Sequence, residues 1–275
     1  MNHVLSTHLN TNHRLTTVWL ERVWEAGIPE VELFCARPHI DYNDRAQISD
    51  LGHFFRASEL KAHSMHGPLY TDDVWGRSGP HSFIIITEPD KSKRVKMVDL
   101  IKRAIEISET IPFRYFIQHL GLPREEYDER KLDAAFTALE ELSLFAGHRG
   151  VEILLENIPN RMSTGERLAA FVDATHLNVG FCFDVGHANI GEGIETAFRH
   201  MKDRIRSTHV HDNDGIDDRH LYPFVVPGGT VDWSKTIPLL RSSNLPLLLE
   251  VKESAAVQQP IEAIKQVFQR MEEIA

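Results

Sequence analysis

Hydrophobic and polar positions along this 275-residue chain alternate between two regimes. Short apolar, β-prone runs are each followed by a longer stretch with helical periodicity. The strand-like runs are Val4–Leu9, Val31–Cys35, Leu60–His66, Phe113–Leu120, Val151–Glu156, Asn178–Asp184, Ile205–Asp212 and Leu245–Val251. Helical patterning covers Thr16–Ala26, with Val18, Trp19, Val23 and Trp24 on one face and Gly27 closing it, and then Asp44–Ala57. It returns over Lys91–Thr110, where Val95, Val98, Ile101 and Ile105 point inward, and over Arg130–Ala146, Gly165–Ala174 and Ile194–Lys202. Ser234 is placed to cap a helix reaching Ser243, and Pro260 suits the first turn of a last helix ending at Ile274. A long loop from Gly67 to about Asp90 contains an apolar run, Phe83–Thr87, that fits a short strand or a helix entry equally well.

Eight strand-then-helix units predict a (β/α)8 barrel, with residues 1–275 as one domain and no linker between parts. An open doubly wound sheet is the competing architecture, but its glycine-rich phosphate loop after the first strand is missing. Composition agrees with a soluble globular protein, at 42% hydrophobic and 25% charged residues. Both cysteines, Cys35 and Cys182, sit in apolar runs and read as reduced core residues, the usage expected of a cytoplasmic protein. No secretory signal and no membrane-spanning apolar stretch is expected. A net charge of −10 argues against a nucleic-acid partner, which would call for a basic surface. Oligomeric state stays open, a homo-oligomer included.

Chemistry collects where the apolar runs stop. The stretch FCFDVGHAN, Phe181–Asn189, ends a buried strand in Asp184 and delivers His187 three residues later, with Gly186 allowing a tight turn between them. The other runs end alike: His8 in the first, His66 in the third, His119 in the fourth, Glu156 in the fifth, His211 in the seventh and Glu250 in the eighth. A barrel brings these ends to one mouth, where imidazoles and carboxylates suit a divalent metal. Glutamates closing strands as apolar as Ile153–Leu155 and Leu247–Leu249 are costly unless paired or metal-bound. In THVHDND, Thr208–Asp214, the period of two puts His209 and His211 on one face. His211, nearer the mouth, is the expected ligand, and His209 falls to the core or to a supporting place. Asp218 and His220 in the next loop are further candidates. Trp75 and Tyr70, in the long loop, are placed to stack on a bound small molecule or to pack the loop down.

The motifs SMHGP (Ser64–Pro68), QHLG (Gln118–Gly121), LLENIP (Leu154–Pro159), FDVGHAN (Phe183–Asn189), HVHDNDG (His209–Gly215), PGGTVDW (Pro227–Trp233) and LLLEV (Leu247–Val251) follow one another in order. Together they resemble the xylose isomerase-like TIM barrels, a group of sugar epimerases, sugar-phosphate isomerases and endonuclease IV. In the epimerase branch the resemblance implies one divalent ion on Glu156, Asp184, His211 and Glu250, with His187 binding substrate oxygen. In endonuclease IV it implies a three-metal cluster that adds positions matching His66, His119, His187, Asp218 and His220.

Two chemistries follow. The expected one is isomerisation or epimerisation of a small polyhydroxy carbonyl compound, with Glu156 and Glu250 moving a proton through an enediolate and a divalent metal as Lewis acid. Zinc or manganese leads as the metal, with cobalt and magnesium open. A keto-sugar dehydratase would begin the same way. The alternative is a multi-metal phosphodiesterase acting on DNA, which needs a basic rim to grip the duplex. The loops Asp41–Asp44, Tyr70–Asp73 and Asp212–Asp218 are instead acidic or mixed. A barrel that only binds sugar would have no use for both glutamates.

Overall fold

The computed structural model describes residues 1–74 and 77–274. Eight parallel strands are laid down in chain order: β1 (His3–Ser6), β2 (Glu30–Phe34), β3 (Lys61–His66), β4 (Tyr115–His119), β5 (Glu152–Glu156), β6 (Gly180–Asp184), β7 (Ile205–His209) and β8 (Leu247–Leu249). Each pairs with its sequence neighbours, and β1 pairs with β8. Between β7 and β8 the ring closes through Val210, whose N–H donates to the Leu248 carbonyl at 2.8 Å and whose carbonyl accepts from Glu250 N at 3.1 Å. The eight-stranded barrel expected from the alternation is present.

Helices α1 (Thr17–Glu25), α2 (Arg45–Ala57), α3 (Lys91–Glu106), α4 (Glu129–Gly147), α5 (Gly165–Thr175), α6 (Val185–Ile190), α7 (Ile194–Met201), α8 (Trp233–Ser242) and α9 (Pro260–Glu273) connect them. Side-chain caps start most of the longer ones: Thr16 for α1, Asp44 for α2, Asp90 for α3, Asp128 for α4 and Thr164 for α5 each accept from a first-turn N–H. The residue before α8 is Asp232, earlier in the chain than the expected Ser234, whose hydroxyl instead donates to the Asp232 carboxylate. The short α6 has no counterpart in the periodicity, because six residues are too few to show one.

Most of the apolar core lies between strands and helices. Alternation sends Ile153 and Leu155 of β5 outward into that layer, while Leu154 faces the barrel interior with Tyr115, Ile117 and Cys182. Two faces differ from the sequence pattern. Val18 is 58% exposed and Leu20 takes its place in the core, and Val95 is 47% exposed while Val98, Ile101 and Ile105 are buried. Phe83–Thr87 forms neither strand nor helix; Phe83 makes one antiparallel bridge to Tyr70. Cys35 and Cys182 are buried free thiols. Among the described residues no helix is long and apolar enough to cross a membrane.

Two bulges decide which side chains enter the barrel. Along β3 the partner of Val31 is Ala62 but that of Glu32 is Ser64, so His63 is the extra residue. Along β7 the partner of Phe181 is Ile205 but that of Cys182 is Ser207, so Arg206 is skipped. These shifts set Ser64 and His66, and Ser207 and His209, in register with the inward residues of their neighbours.

Candidate metal centre

Glu156, at the end of β5, is 1% exposed and stands at the middle of the site. Its Oε2 lies 3.0 Å from His119 Nε2 and 3.4 Å from His66 Nε2. Its Oε1 lies 3.0 Å from His209 Nδ1 and 3.3 Å from His187 Nδ1. Glu250, past the end of β8, brings Oε2 to 3.4 Å from the same His209 Nδ1. Asp184, at the end of β6, places Oδ2 3.7 Å from that nitrogen and Oδ1 3.2 Å from His211 Nε2. Asp218 reaches in from the loop after β7, with Oδ2 3.0 Å from His220 Nε2 and 3.4 Å from His187 Nε2.

These contacts form overlapping groups whose donor atoms lie within 4.8 Å of one another: His66, His119 and Glu156; Glu156, Asp184, His209 and Glu250; and His187, His211, Asp218 and His220. A fourth joins His8, His220 and Glu250. The sequence motifs imply His211 as the fourth member of the central group, and here the geometry differs. Strand β7 ends at His209, three residues before the Asp212 expected, so His209 keeps the inward direction among the carboxylates. His211 follows the Val210 bridge and turns to Asp184, Asp218 and His220, stacking on the His220 ring at 4.0 Å. Both histidines belong to the site, in different groups. The sequence puts them on one face but carries no mark of where pairing stops.

Three of the imidazoles are held firmly by backbone carbonyls. Nδ1 donates to Gly67 O at 2.9 Å in His66, to Asn157 O at 3.0 Å in His187, and to Glu250 O at 2.8 Å in His220, so each turns Nε2 into the site. The turn at Asp184 works differently from the glycine hinge expected. Asp184 caps α6 by accepting from His187 N at 2.6 Å, and Gly186 sits inside that helix without a left-handed backbone. Glycine is needed there because a Cβ would overlap the His211 ring.

Electrostatics follow from burial and crowding. Burial alone would raise the Glu156 carboxyl, but His209, His119 and His187 outweigh it and hold it well below the usual range. Burial, together with the Glu156, Glu32 and Asp184 carboxylates, pushes Glu250 well above it. Burial works against a charge on His187, yet Asp184 and Asp218 raise that imidazole well above its ordinary value. Burial and the neighbouring His211 lower His220 to about 4.

The donor set fits a divalent cation. Glu156, Asp184, Asp218 and Glu250 ion-pair only with histidines among the described residues, and the buried Asp218 Oδ1 has no hydrogen-bond partner. Buried carboxylates that pair with no lysine or arginine, such as Glu156, Asp184 and Glu250 here, are sustained by protonated imidazoles or by metal.

The site opens into a cavity of about 690 Å³ lined by Phe34, Tyr70, Phe83, His119, Glu250 and Lys252, among others. Tyr70 lies against Phe83 with ring centroids 5.3 Å apart. Trp75 lies outside the described residues. The expected acidic rim is partly internal: Asp212 is 5% exposed and accepts from Asn213 N, Thr230 N, Val231 N and Trp233 Nε1, tying the Pro227–Trp233 segment to β7. Asp44, Asp72 and Asp214 similarly accept backbone N–H groups in caps and turns. Asn157 and Glu32, which no sequence motif singles out as site residues, both touch candidate ligands, Asp184 and His209.

Solved structures with the same fold include a D-tagatose 3-epimerase-like protein, 22% identical with a TM-score of 0.78, over 100% of this chain and 98% of that one. The 3-keto-D-glucoside 4-epimerase YcjR from E. coli is 15% identical with a TM-score of 0.74, over 99% of both chains. The IOLI protein, solved with a zinc atom bound, is 17% identical with a TM-score of 0.75, over 99% of this chain and 96% of that one. No curated protein matches the chain. The sequence model of one family matches residues 20–274, nearly all of the barrel, and the chain belongs to that family, the xylose isomerase-like TIM barrels.

Proposed function

We propose that this chain is a divalent-metal-dependent enzyme that isomerises or epimerises a small sugar or sugar-like polyhydroxy carbonyl compound. The observation that carries the reading is the convergence of Glu156 and Glu250 on His209 Nδ1, at 3.0 and 3.4 Å, in the wall of a cavity of about 690 Å³. That volume is enough for a small molecule. The names of the similar structures, a tagatose 3-epimerase-like protein and a keto-glucoside 4-epimerase, point the same way.

Glu156, Asp184, His209 and Glu250 would hold the central cation, with His211 in the adjoining group. Zinc or manganese suits this mixed nitrogen and oxygen set. A bound divalent cation supplies Lewis-acid polarisation of a carbonyl and its neighbouring hydroxyl. Glu156 and Glu250, at the ends of strands three apart around the ring, would then flank the C–H between those oxygens. One carboxylate takes the proton and the other returns it to the opposite face. His187 and His119 are placed to bind substrate oxygens, and Phe34, Tyr70 and Phe83 give the ring an apolar wall.

The test is a panel of ketoses, aldoses and keto-inositols, with and without phosphate, followed in deuterated water with zinc or manganese present. Epimerised or isomerised product carrying deuterium between the two oxygens is expected. Glu156→Gln and Glu250→Gln should each lower turnover by roughly 10²–10⁴-fold while metal is retained.

One observation favours a second reading. Glu156 joins the His66–His119 group to the central one, and Asp184 joins the central one to the His187–Asp218–His220 group. A run of adjoining cation sites suits in-line phosphoester hydrolysis. Three metal ions per chain with metal-dependent cleavage of an abasic-site DNA duplex, and no reaction in the sugar panel, would move the function to that branch.

A further inference from the structure

His209 is held the opposite way round from His66, His187 and His220. Its Nε2 points down into the barrel, 3.2 Å from Glu32 Oε2, and its Nδ1 points up at Glu156 and Glu250. Glu32 sits mid-strand on β2, fully buried, well away from the strand ends where site residues gather. Its two oxygens are otherwise taken by hydroxyls: Ser6 Oγ donates to Oε1 at 2.9 Å and Ser64 Oγ to Oε2 at 2.8 Å. Every donor to this carboxylate is buried, and none is a lysine or arginine. A carboxylate placed there for packing alone would cost more than an apolar side chain of equal volume.

We propose that Glu32 is a positioning residue of the metal centre: it keeps the His209 proton on Nε2 and so makes Nδ1 the ligand atom. This rests on the metal reading above. The carboxylate accepts the Nε2–H, and the two serine hydroxyls keep its oxygens from rotating away. The β3 bulge at His63 is what brings Ser64 opposite Glu32. Without Glu32, Nε2 would lose its acceptor, and the ring would be free to flip or to carry its proton on Nδ1, facing the carboxylates it should join.

Zinc affinity measured by chelator competition, and the ¹⁵N imidazole spectrum of the zinc-loaded protein, test this without a substrate. Wild-type protein should show His209 protonated on Nε2 and metal-shifted on Nδ1, the reverse of His66, His187 and His220. Glu32→Leu should weaken zinc binding about 10–100-fold. Glu32→Gln, which keeps an acceptor, should recover most of that loss, and Ser64→Ala should weaken binding several-fold. Should Glu32→Leu fail to fold, the other two variants carry the comparison. Wild-type spectra with the His209 proton on Nδ1, or folded variants that bind zinc as wild type does, would overturn the proposal while leaving the metal centre standing. Wild-type protein that takes up no zinc, manganese or cobalt would overturn both.

Discussion

Asn157 and Asp184 are joined by a pair of reciprocal hydrogen bonds: the Asn157 side chain accepts from Asp184 N and donates to Asp184 O, both at 2.8 Å. The amide mimics one more rung of the β5–β6 ladder and holds Glu156 and Asp184 side by side. Asn157→Leu removes both partners from buried backbone groups, at a cost of about 1–3 kcal/mol for each. A lower melting temperature in metal-free protein, and weaker zinc binding by chelator competition, are expected. Unchanged zinc affinity would mean that the strand ends keep their spacing unaided.

Gly186→Ala tests the close approach of α6 to His211. Alanine is ordinarily better than glycine inside a helix by about 0.5–1 kcal/mol. Here its methyl group would occupy the space of the His211 ring. The variant should be less stable than wild type, the reverse of the propensity effect, and a crystal structure should show His211 displaced from Asp184.

His209→Ala and His211→Ala should differ. His209 belongs to the group with both glutamates, so its loss should remove the cation there and abolish turnover. His211 lies in the adjoining group with His187, Asp218 and His220, and its loss should lower metal content only at that position. Metal analysis of each purified variant reads the outcome. A cation lost from the central group in His211→Ala alone would restore the assignment expected from sequence.

Acid sensitivity should reside partly at His39. Burial lowers that imidazole from 6.5 to about 4, and its Nδ1 donates to His13 O at 2.6 Å. Between those values the unfolded chain binds a proton that the folded chain does not, so stability rises with pH across the window and is lost as pH falls through it. At about 1.4 kcal/mol per pKa unit, the loss from this group comes to about 3 kcal/mol. His39→Asn, which keeps a donor near the Nδ1 position, should flatten the pH dependence of urea midpoints between pH 6.5 and 4. A profile as steep as that of wild type would assign the acid sensitivity elsewhere.

The barrel is legible in the sequence because each strand-like run and each helical stretch obeys its own period. The positions of Glu156, Asp184 and Glu250 are legible because a carboxylate that ends an apolar strand is stable there only when paired or metal-bound. What the sequence hides depends on register. His209 and His211 differ by where β7 stops, and that is set by the Val210 bridge to β8, a contact between segments about forty residues apart in sequence. Glu32 looks like an ordinary charge in a strand start, since only the β3 bulge shows which residues stand opposite it. Asn157 lies two residues before a proline and carries no local sign of its backbone partner. The acidic loops read as surface because a carboxylate capping four N–H groups, as Asp212 does, has the same composition as one facing solvent.

The two oxygens of Glu156 face different companies, His119 and His66 on one side and His209 and His187 on the other. One side chain carries both, so rotating it to improve one set of contacts worsens the other. The two sides are therefore not independent in the thermodynamic sense. Whatever occupies the first changes the affinity of the second, and by reciprocity the second changes the first by the same factor. Metal titrations of this barrel should depart from a curve for independent sites, and Glu156 is the residue through which that departure is transmitted.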